Sequence, residues 1–334
     1  MSSTAKNQSR PGANQLKHLY QQARNPPKDP QTSYKGKTVL VTGANTGIGY
    51  QAAVKFAALG ASPLVIAVRT QEKGEATKAA IIRETGNENI IVIPVDLSTF
   101  DAVKEFAAKL NEQVHKLDVA LLNAGLAMPS FTKGPGGYEI ALQVNVLSTA
   151  LMALLILPKL RETAAANGTP SHLTFTSSKG YQDVEESWLD SSKTLIDQLN
   201  TEEGYSDQRH YMMTKLATMF VLQGVMDQHS DNQVIINAAC PGFCKTDLGR
   251  NFSLVAKVFM GPIQYFVART AEQGSRSLVS ATILGPESIG KLWHDDEVLE
   301  PSRLQATERG AELYRETWGQ ILTILNKHIP PKDV

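Results

Sequence analysis

The sequence predicts an α/β fold: a single-domain Rossmann-type, doubly wound parallel sheet of about seven strands with helices on both faces. Short β-branched runs alternate with helical patterns after about residue 35. The strands are apolar throughout, as strands buried on both faces are. Right-handed crossovers join such strands into one sheet. No internal repeat or second core is visible in the 334 residues.

The pattern divides the chain into an arm and one domain. Residues 1–34 lack sustained periodicity and include the proline-rich run 25–30, so we expect a mobile N-terminal arm. The domain at 35–330 would include an apolar lid at 250–270 and a C-terminal helix at 303–326. The predicted strands are 38–42, 64–68, 90–95, 118–122, 172–177, 233–238 and 289–293.

The composition excludes several partners and sites. Lysine plus arginine equals aspartate plus glutamate at 33 each, so no net field favours nucleic acid or an anionic membrane. The two cysteines, Cys240 and Cys244, fit no disulfide framework or metal-ligand set, which indicates buried reduced thiols. The run 294–296 is interpreted as a solvated loop rather than a metal site. We expect a cytoplasmic protein with a small-molecule substrate and no metal.

Two apolar segments bear on membranes and partners. The run Leu147–Leu157 is too short to span a bilayer and ends at Pro158, so we expect a buried core helix and no stable membrane insertion. The segment 252–267 is interpreted as a lid over an apolar substrate. A flap that meets a membrane or a partner subunit is the alternative. Oligomeric state stays open between monomer and homodimer.

The first crossover carries the pattern of a dinucleotide-binding loop. Gly43 would permit a tight turn, Gly47 would let a pyrophosphate approach the backbone, and Gly49 would let helix and strand pack closely. A purely structural turn would need fewer glycines. The loop residues predicted to bind the cofactor are Gly43, Asn45, Thr46, Gly47, Ile48 and Gly49.

The second strand ends at Arg69, where an NAD site would place a carboxylate for the ribose 2′-hydroxyl. A guanidinium at this position suits a 2′-phosphate instead. The sequence therefore favours NADPH as the cofactor, with a solvated arginine at a strand end as the alternative interpretation.

Small or polar residues also follow the third and fourth strands. Asp96, with Leu97 beside it, could accept a hydrogen bond from an adenine amino group, or it could cap the helix that starts near residue 98. Asn123, Ala124 and Gly125 would let the backbone lie beside the adenine ribose. An ordinary strand-end turn has the same composition.

Later segments bring further polar residues to the sheet edge. The fifth strand delivers Ser177 and Ser178 to the edge where open α/β sheets bind ligands. Asn145 begins a buried helix, so its amide is either a satisfied core group or the holder of an active-site water. The rigid turn at Pro241 and Gly242 would place Thr246 near the same edge.

Tyr211 and Lys215 lie four residues apart on a predicted helix. A phenol and an ammonium at this spacing share one face and can act on one ligand. With nine tyrosines in the chain, one such pair has roughly even odds of occurring by accident. The pair therefore gains meaning only from the residues around it.

The motifs occur in the order typical of the short-chain dehydrogenase/reductase family, which the chain resembles over about residues 35–295. The matching motifs are the loop 43–49, Asn123–Gly125, Asn145, Ser177–Ser178, Tyr211 with Lys215, and Pro241–Gly242 with Thr246. The run 68–75 is similar to the retinol-dehydrogenase-like branch. The run 285–291 is similar to fungal reductases that modify ketones in natural-product pathways.

This resemblance implies NADPH-dependent reduction of a ketone or aldehyde. Tyr211 would give its proton to the carbonyl oxygen, and Ser178 would polarise that carbonyl. Lys215 would lower the pKa of Tyr211 by stabilising phenolate, and would hold the nicotinamide ribose. Asn145 would keep a relay water, and Thr246 would contact the nicotinamide amide. Tyr211 and Lys215 thus also count as cofactor-binding residues.

Two features depart from the family pattern. The gap between Ser178 and Tyr211 is longer than usual, which bears on whether Ser177 or Ser178 faces the pocket; the second serine matches the family. Met212 and Met213 replace small residues and are interpreted as core filler. A membrane-associated retinoid or steroid alcohol dehydrogenase and a non-catalytic NADPH-binding sensor are the alternative functions.

Overall fold

Eight strands make one sheet in the computed structural model, which describes residues 13–228, 233–245 and 267–329. The strands are β1 Val39–Thr42, β2 Leu64–Val68, β3 Ile90–Pro94, β4 Val119–Leu122, β5 Ser171–Thr176, β6 Val234–Ala239, β7 Leu292–His294 and β8 Glu297–Leu299. Their order is β3-β2-β1-β4-β5-β6-β7-β8, and only β7 and β8 pair antiparallel among these strands. The predicted doubly wound parallel sheet is confirmed, with eight strands in place of about seven.

Helices connect and cover the strands, and threonine side chains mark where several of them begin. The helices are α1 Ala13–Arg24, α2 Gly47–Ala58, α3 Gln71–Thr85, α4 Phe100–Gln113, α5 Ile140–Asn167, α6 Leu195–Leu199, α7 Asp207–Asp227, α8 Ala271–Ala281 and α9 Glu308–Leu325. The hydroxyls of Thr70, Thr270 and Thr307 accept hydrogen bonds from the first turns of α3, α8 and α9. Each cap satisfies a backbone N–H that the helix leaves free.

Alternate residues of the central strands face two separate layers of the core. In β1, Leu40 belongs to the apolar cluster formed with α4, α5 and α7, whereas Val39 and Val41 belong to the cluster formed with α2 and α8. Both faces of the strand are therefore covered. This explains why the strands read as continuous apolar runs in the sequence.

The strand order reverses at β1, because β2 and β3 lie on one side of it and β4 to β8 on the other. In open α/β sheets a crevice forms at the carboxyl ends of the strands at such a point. The loops after β1, β2, β4 and β5 converge on this crevice. The fold therefore places the predicted motifs along one edge.

The end of the sheet differs from the strand predicted at 289–293. Gly290 has a φ of 76° and follows a short 3₁₀ turn, so β7 begins only at Leu292. Asp295 and Asp296 have φ of 53° and 60° and form a two-residue turn into β8, a strand absent from the prediction. His294, expected in a solvated loop, is buried because β7 lies inside the sheet.

Part of the segment expected to be a mobile arm is held against the domain. Helix α1 precedes Tyr34, which is fully buried. Arg269 is 1% exposed, donates hydrogen bonds to the carbonyls of Gln22 and Asn25, and pairs with the carboxylate of Asp295. The segment from Gln22 to Tyr34 is therefore attached to the domain at these points. A composition rich in proline could not reveal these contacts, because their partners lie some 245 residues away in the chain.

Among the described residues, α5 is the one helix long and apolar enough to cross a membrane, but 83% of its most apolar window is buried within the protein. This placement agrees with the predicted core helix. The helix does not end at Pro158, however, but continues to Asn167. Proline removes one helical hydrogen bond. Packing of α5 against α4, β5 and α7 holds the remaining turns.

Two predictions concern the C-terminal third of the chain. The helix expected at 303–326 corresponds to α9, which begins after its cap at Thr307. The lid expected at 250–270 lies outside the described residues up to position 266, and Thr246 also lies outside them.

Candidate active site

Thr42 joins the loops that follow β1 and β4. Its hydroxyl accepts hydrogen bonds from the backbone N–H groups of Asn123 at 2.9 Å and Ala124 at 3.0 Å. Its carbonyl accepts one from the Asn123 side chain at 3.1 Å. Thr42 is buried, so these bonds replace water that it cannot reach. The loop after β4 is thereby fixed to the loop after β1.

The glycines after β1 leave room for neighbouring backbone. Gly43 has a φ of 67°, and a Cβ there would come within 2.9 Å of the Ala124 Cα. A Cβ on Gly49 would lie 2.3 Å from both the Gly43 carbonyl oxygen and the Asn123 Nδ2. Gly47 begins α2. The N-terminus of α2 thus faces the crevice, an arrangement that favours a phosphate.

Two exposed cations line the crevice beside β2. Arg69 follows β2 directly, and Lys73 lies in the first turn of α3. Lys73 was not among the predicted site residues, although its spacing of four from Arg69 was visible in the sequence. Together the two side chains offer positive charge where an NAD site would offer a carboxylate.

Asp96 lines the crevice with Leu97, and it is not the cap of a helix. Its Oδ1 accepts a hydrogen bond from the backbone N–H of Ser98 at 3.0 Å. Helix α4 is capped by Thr99, whose hydroxyl accepts from the Ala102 N–H at 3.4 Å. The placement of Asp96 is compatible with the predicted adenine contact.

Asn145 lies in a π-helical turn, Gln143–Leu147, within α5. Its Oδ1 accepts from the Leu126 N–H at 2.9 Å, and its Nδ2 donates to the Leu126 carbonyl at 2.8 Å. Both polar atoms of the Asn145 side chain therefore have partners. This agrees with the first of the two interpretations given above, a satisfied core group. Its carbonyl oxygen accepts a long bond of 3.4 Å from Thr218, so any contact with a relay water would fall to that oxygen.

The two serines after β5 have different surroundings. Ser178 accepts a hydrogen bond from the Gly180 N–H at 3.2 Å, and its hydroxyl lies close enough to Tyr211 to lower the pKa of that phenol. Ser177 is 2% exposed and lines the crevice, and its Oγ has no hydrogen-bond partner among the described residues. Ser178 is therefore the serine that lies beside Tyr211.

Helix α7 carries Tyr211 and Lys215 on one face, as the spacing predicts. The Nζ of Lys215 is 5.8 Å from the centroid of the Tyr211 ring and donates to the Thr176 carbonyl at 2.9 Å. Lys215 is 7% exposed, whereas Tyr211 is partly exposed. The buried ammonium is thus held by a carbonyl at the end of β5.

Burial controls the protonation of this pair. It lowers the pKa of Lys215 from 10.5 to about 8. Burial also raises the pKa of Tyr211 above its usual range, and the nearby Ser178 hydroxyl offsets this only in part. In the free protein, burial is therefore the largest influence on the Tyr211 pKa, because loss of water disfavours phenolate. Tyr211 is a neutral phenol and hence a proton donor.

Cys240 follows the last residue of β6, near Tyr211 and Lys215. Its Sγ accepts hydrogen bonds from the backbone N–H groups of Lys179 at 3.2 Å and Gly242 at 3.4 Å. Although burial raises the pKa of the Cys240 thiol, these bonds and one from His294 outweigh burial and lower it. Pro241 lines the crevice, whereas Gly242 packs against Arg269. The two cysteines are buried and free, as expected.

The crevice has a volume of about 820 Å³ and gathers most of the predicted residues from five strand ends. Those that line it are Gly43, Asn45, Thr46, Gly47, Ile48, Gly49, Arg69, Asp96, Leu97, Asn123, Ala124, Gly125, Tyr211, Lys215 and Pro241. Asn145, Ser178 and Gly242 do not line it. The lining residues that sequence reasoning missed include Tyr50, Lys73, Thr77, Leu126 and Thr176, most of which lie beside a motif and carry no signal of their own. Ser177 was weighed against Ser178 as the serine that faces the pocket, and it is Ser177 that lines the crevice.

The donor groups of the crevice fit a nicotinamide dinucleotide phosphate. The glycine loop and the start of α2 suit a pyrophosphate, and Arg69 and Lys73 suit a further phosphate. The Lys215 ammonium at the far side suits ribose hydroxyls. Among the residues described, no group of three or more His, Cys, Asp or Glu side chains could hold a metal ion.

Known proteins resemble this chain over most of its length. The family model described as short chain dehydrogenase matches residues 37–181. The short-chain dehydrogenase/reductase ffsI of Aspergillus flavipes is 39% identical over 96% of this chain and 95% of its own length. The short-chain dehydrogenase/reductase phmF of Phaeosphaeria nodorum is 38% identical over 91% of this chain and 90% of its own. Pseudomonas aeruginosa RhlG, solved as an NADP active-site complex, has the same fold, with a TM-score of 0.59 and 20% identity over 80% of this chain and 97% of its own.

Proposed function

The chain belongs to the short-chain dehydrogenase/reductase family, and from that premise we propose that it is an NADPH-dependent reductase of a ketone or aldehyde. The neutral phenol of Tyr211, beside Ser178 and four residues from the buried Lys215, is the observation that carries this proposal. A protonated phenol can give its proton to an oxygen that gains negative charge. The proposed direction is therefore reduction to an alcohol.

In this mechanism the two hydroxyls act on one carbonyl oxygen. The cofactor, when bound, supplies the hydride. Tyr211 donates its proton to the carbonyl oxygen, and Ser178 donates a hydrogen bond to the same atom. Ser178 and Tyr211 already lie side by side in the free protein, so both hydroxyls are near one another before the substrate enters. Such preorganisation favours the charge that develops in the transition state.

Lys215 has two tasks in the proposed site. The Thr176 carbonyl holds its ammonium at the crevice, where it would bind the hydroxyls of the nicotinamide ribose. Because its pKa is lowered to about 8, the lysine can also exchange a proton near neutral pH and so return one to Tyr211. A water held by the carbonyl oxygen of Asn145 would extend this path.

Arg69 and Lys73 support NADPH over NADH. Both side chains are exposed at the crevice, and a guanidinium matches the oxygens of a phosphate in a bidentate manner. RhlG, which shares the fold, is an NADP complex. The adenine end of the cofactor would lie beside Arg69, with Asp96 as an acceptor for its amino group.

The proposed substrate is an apolar, medium-sized ketone or aldehyde of fungal secondary metabolism. The resemblance of the run 285–291 to fungal natural-product reductases supports this class, and so do the Aspergillus flavipes and Phaeosphaeria nodorum relatives. The segment 252–267 has Lys257 as its one charged residue, a composition that suits an apolar substrate. The buried free thiols support a cytoplasmic location.

A cofactor-consumption screen tests the proposed function. Purified protein is mixed with NADPH or NADH and with a panel of apolar ketones and aldehydes. We expect carbonyl-dependent oxidation of NADPH over many turnovers, and faster than that of NADH. Tight NADPH binding without turnover of any carbonyl would favour the non-catalytic sensor instead. Turnover restricted to NADH would refute the role of Arg69.

A further inference from the structure

Ser177 is a buried polar residue of the crevice that the proposed mechanism does not use. Its backbone N–H donates to the Ala239 carbonyl at 2.9 Å, which fixes the residue between β5 and β6. The side chain is 2% exposed, and its Oγ has no hydrogen-bond partner among the residues that the structure describes. A buried hydroxyl in this condition has lost water and gained nothing in return.

A missing partner alone does not indicate a ligand. Ser277 in α8 and Thr317 in α9 also have buried hydroxyls without a partner in the described part of the chain, and neither lines the crevice. Ser177 differs because it does line it. Its hydroxyl can therefore be satisfied by a molecule that enters the crevice, whereas those of Ser277 and Thr317 cannot.

The position of Ser177 along the sheet edge determines which part of a bound cofactor lies near it. Arg69 follows β2, and Ser177 follows β5, with β1 and β4 between them. Three strand spacings separate the two residues by roughly 14 Å. A cofactor whose 2′-phosphate meets Arg69 therefore brings its opposite, nicotinamide end toward Ser177.

The neighbours of Ser177 agree with this placement. The preceding residue, Thr176, offers the carbonyl that holds the Lys215 ammonium, and the following residue, Ser178, lies beside Tyr211. Both contacts belong to the end of the crevice where the hydride would be transferred. A nicotinamide and its ribose carry several donors and acceptors, and a serine hydroxyl can serve either kind.

We propose that Ser177 binds the nicotinamide half of the cofactor through a hydrogen bond from or to its Oγ. This inference rests on the proposed NADPH-dependent function and adds a binding residue to it. The free protein tolerates an unsatisfied hydroxyl at this position, and the bound cofactor supplies its missing partner.

The test compares two ligands in calorimetric titrations: NADP⁺, and 2′,5′-ADP, which lacks the nicotinamide half. We expect Ser177→Ala to weaken NADP⁺ binding by about 3- to 10-fold, the effect of losing one hydrogen bond, and to leave 2′,5′-ADP binding unchanged. Ser277→Ala is the matched control, because it removes a buried unpartnered hydroxyl away from the crevice. It should bind both ligands as the wild type does.

Thermal unfolding of the free proteins provides the second measurement. Removal of an unpartnered hydroxyl should leave the unfolding temperature of Ser177→Ala equal to or above that of the wild type. A lower value, together with equal weakening of both ligands, would mean that Ser177 has a structural role and would overturn the inference. Unchanged NADP⁺ binding in Ser177→Ala would overturn it as well. If the wild type binds neither ligand, the proposed function itself fails.

Discussion

The two ends of the crevice differ in how their polar groups meet water. The phosphate end consists of the loop Gly43–Gly49 with Arg69 and Lys73, and its two cations are exposed. The catalytic end consists of Ser177, Ser178, Tyr211 and Lys215. Here Lys215 and Ser177 are 7% and 2% exposed, and burial shifts the pKa of both Lys215 and Tyr211.

This difference separates binding from chemistry. Exposed charges attract a phosphate through water and are screened by salt, so they adjust affinity and cofactor choice by modest amounts. Buried groups exchange solvation for a few defined partners, so they set protonation states and rates. Variants of the proton donor Tyr211 should therefore change turnover, and variants of the exposed cations at the phosphate end should change cofactor binding.

Tyr211→Phe should show the largest effect. Loss of the phenol proton removes the proposed general acid, and we expect turnover of an accepted carbonyl to fall by about 10²- to 10⁴-fold. Cofactor affinity should change little, since the ring remains. Steady-state rates and NADPH titrations measure the two quantities separately. Retention of wild-type turnover would show that another group donates the proton.

Gly49→Ala tests whether the tight packing after β1 supports the phosphate end. The new Cβ would lie 2.3 Å from the Gly43 carbonyl oxygen and the Asn123 Nδ2. We expect the free energy of unfolding to fall by about 1–3 kcal/mol, measured by urea unfolding. The control is Gly319→Ala in α9, where no neighbouring atom lies within 4 Å of an added Cβ. Alanine there should stabilise the helix by about 1 kcal/mol, and equal stabilities of the two variants would contradict the account.

Lys215→Met tests the cost of burying an ammonium at the catalytic end. We expect turnover to be lost while the free energy of unfolding rises by about 1–2 kcal/mol near neutral pH, since the desolvated charge is gone. Urea unfolding at several pH values measures the stability. A variant that is less stable than the wild type would mean that the bond from Lys215 to the Thr176 carbonyl outweighs desolvation.

The lowered pKa of Lys215 also predicts how the stability of the folded protein changes with pH. Its folded-state pKa of about 8 lies below the usual lysine value of 10.5, so the unfolded chain binds more protons between those values. The Lys215 contribution to wild-type stability should therefore rise with pH across that window. The stability advantage of Lys215→Met should shrink over the same range, and a constant advantage would contradict burial as the cause.

Arg69→Ala should show the smallest effect. We expect NADPH binding to weaken by about tenfold, less at high salt, with NADH binding unchanged. The control is Lys78→Ala, which removes a cation from α3 that does not line the crevice. If Arg69→Ala weakened NADPH and NADH binding equally, Arg69 would not bind the 2′-phosphate.

Local sequence patterns predicted the parallel strands and the glycine loop, because both depend on neighbouring residues. Strand β8 was missed because Asp295 and Asp296 adopt positive φ without a glycine to signal the turn. The carboxylate of Asp295 pairs with the buried Arg269, which also holds the segment before β1. Such contacts join distant parts of the chain, and no local pattern contains them.

The residues of the candidate site were largely predictable, but their electrostatics were not. The sequence places a cation four residues after Tyr211, and from this spacing alone we expect the pKa of Tyr211 to fall. The structure adds the burial of the phenol, which raises that pKa. The unpartnered hydroxyl of Ser177 likewise depends on how β5 and β6 pair, which the Ser177–Ser178 dipeptide does not reveal.

The separation of the two ends is tested most directly by single-turnover oxidation of bound NADPH. Wild type, Arg69→Ala and Tyr211→Phe are each saturated with NADPH and then mixed with an accepted carbonyl substrate. We predict that Arg69→Ala reacts at the wild-type rate once it is saturated with NADPH, whereas Tyr211→Phe is slower by about 10²-fold or more. Equal slowing of both variants, or wild-type speed in Tyr211→Phe, would contradict it.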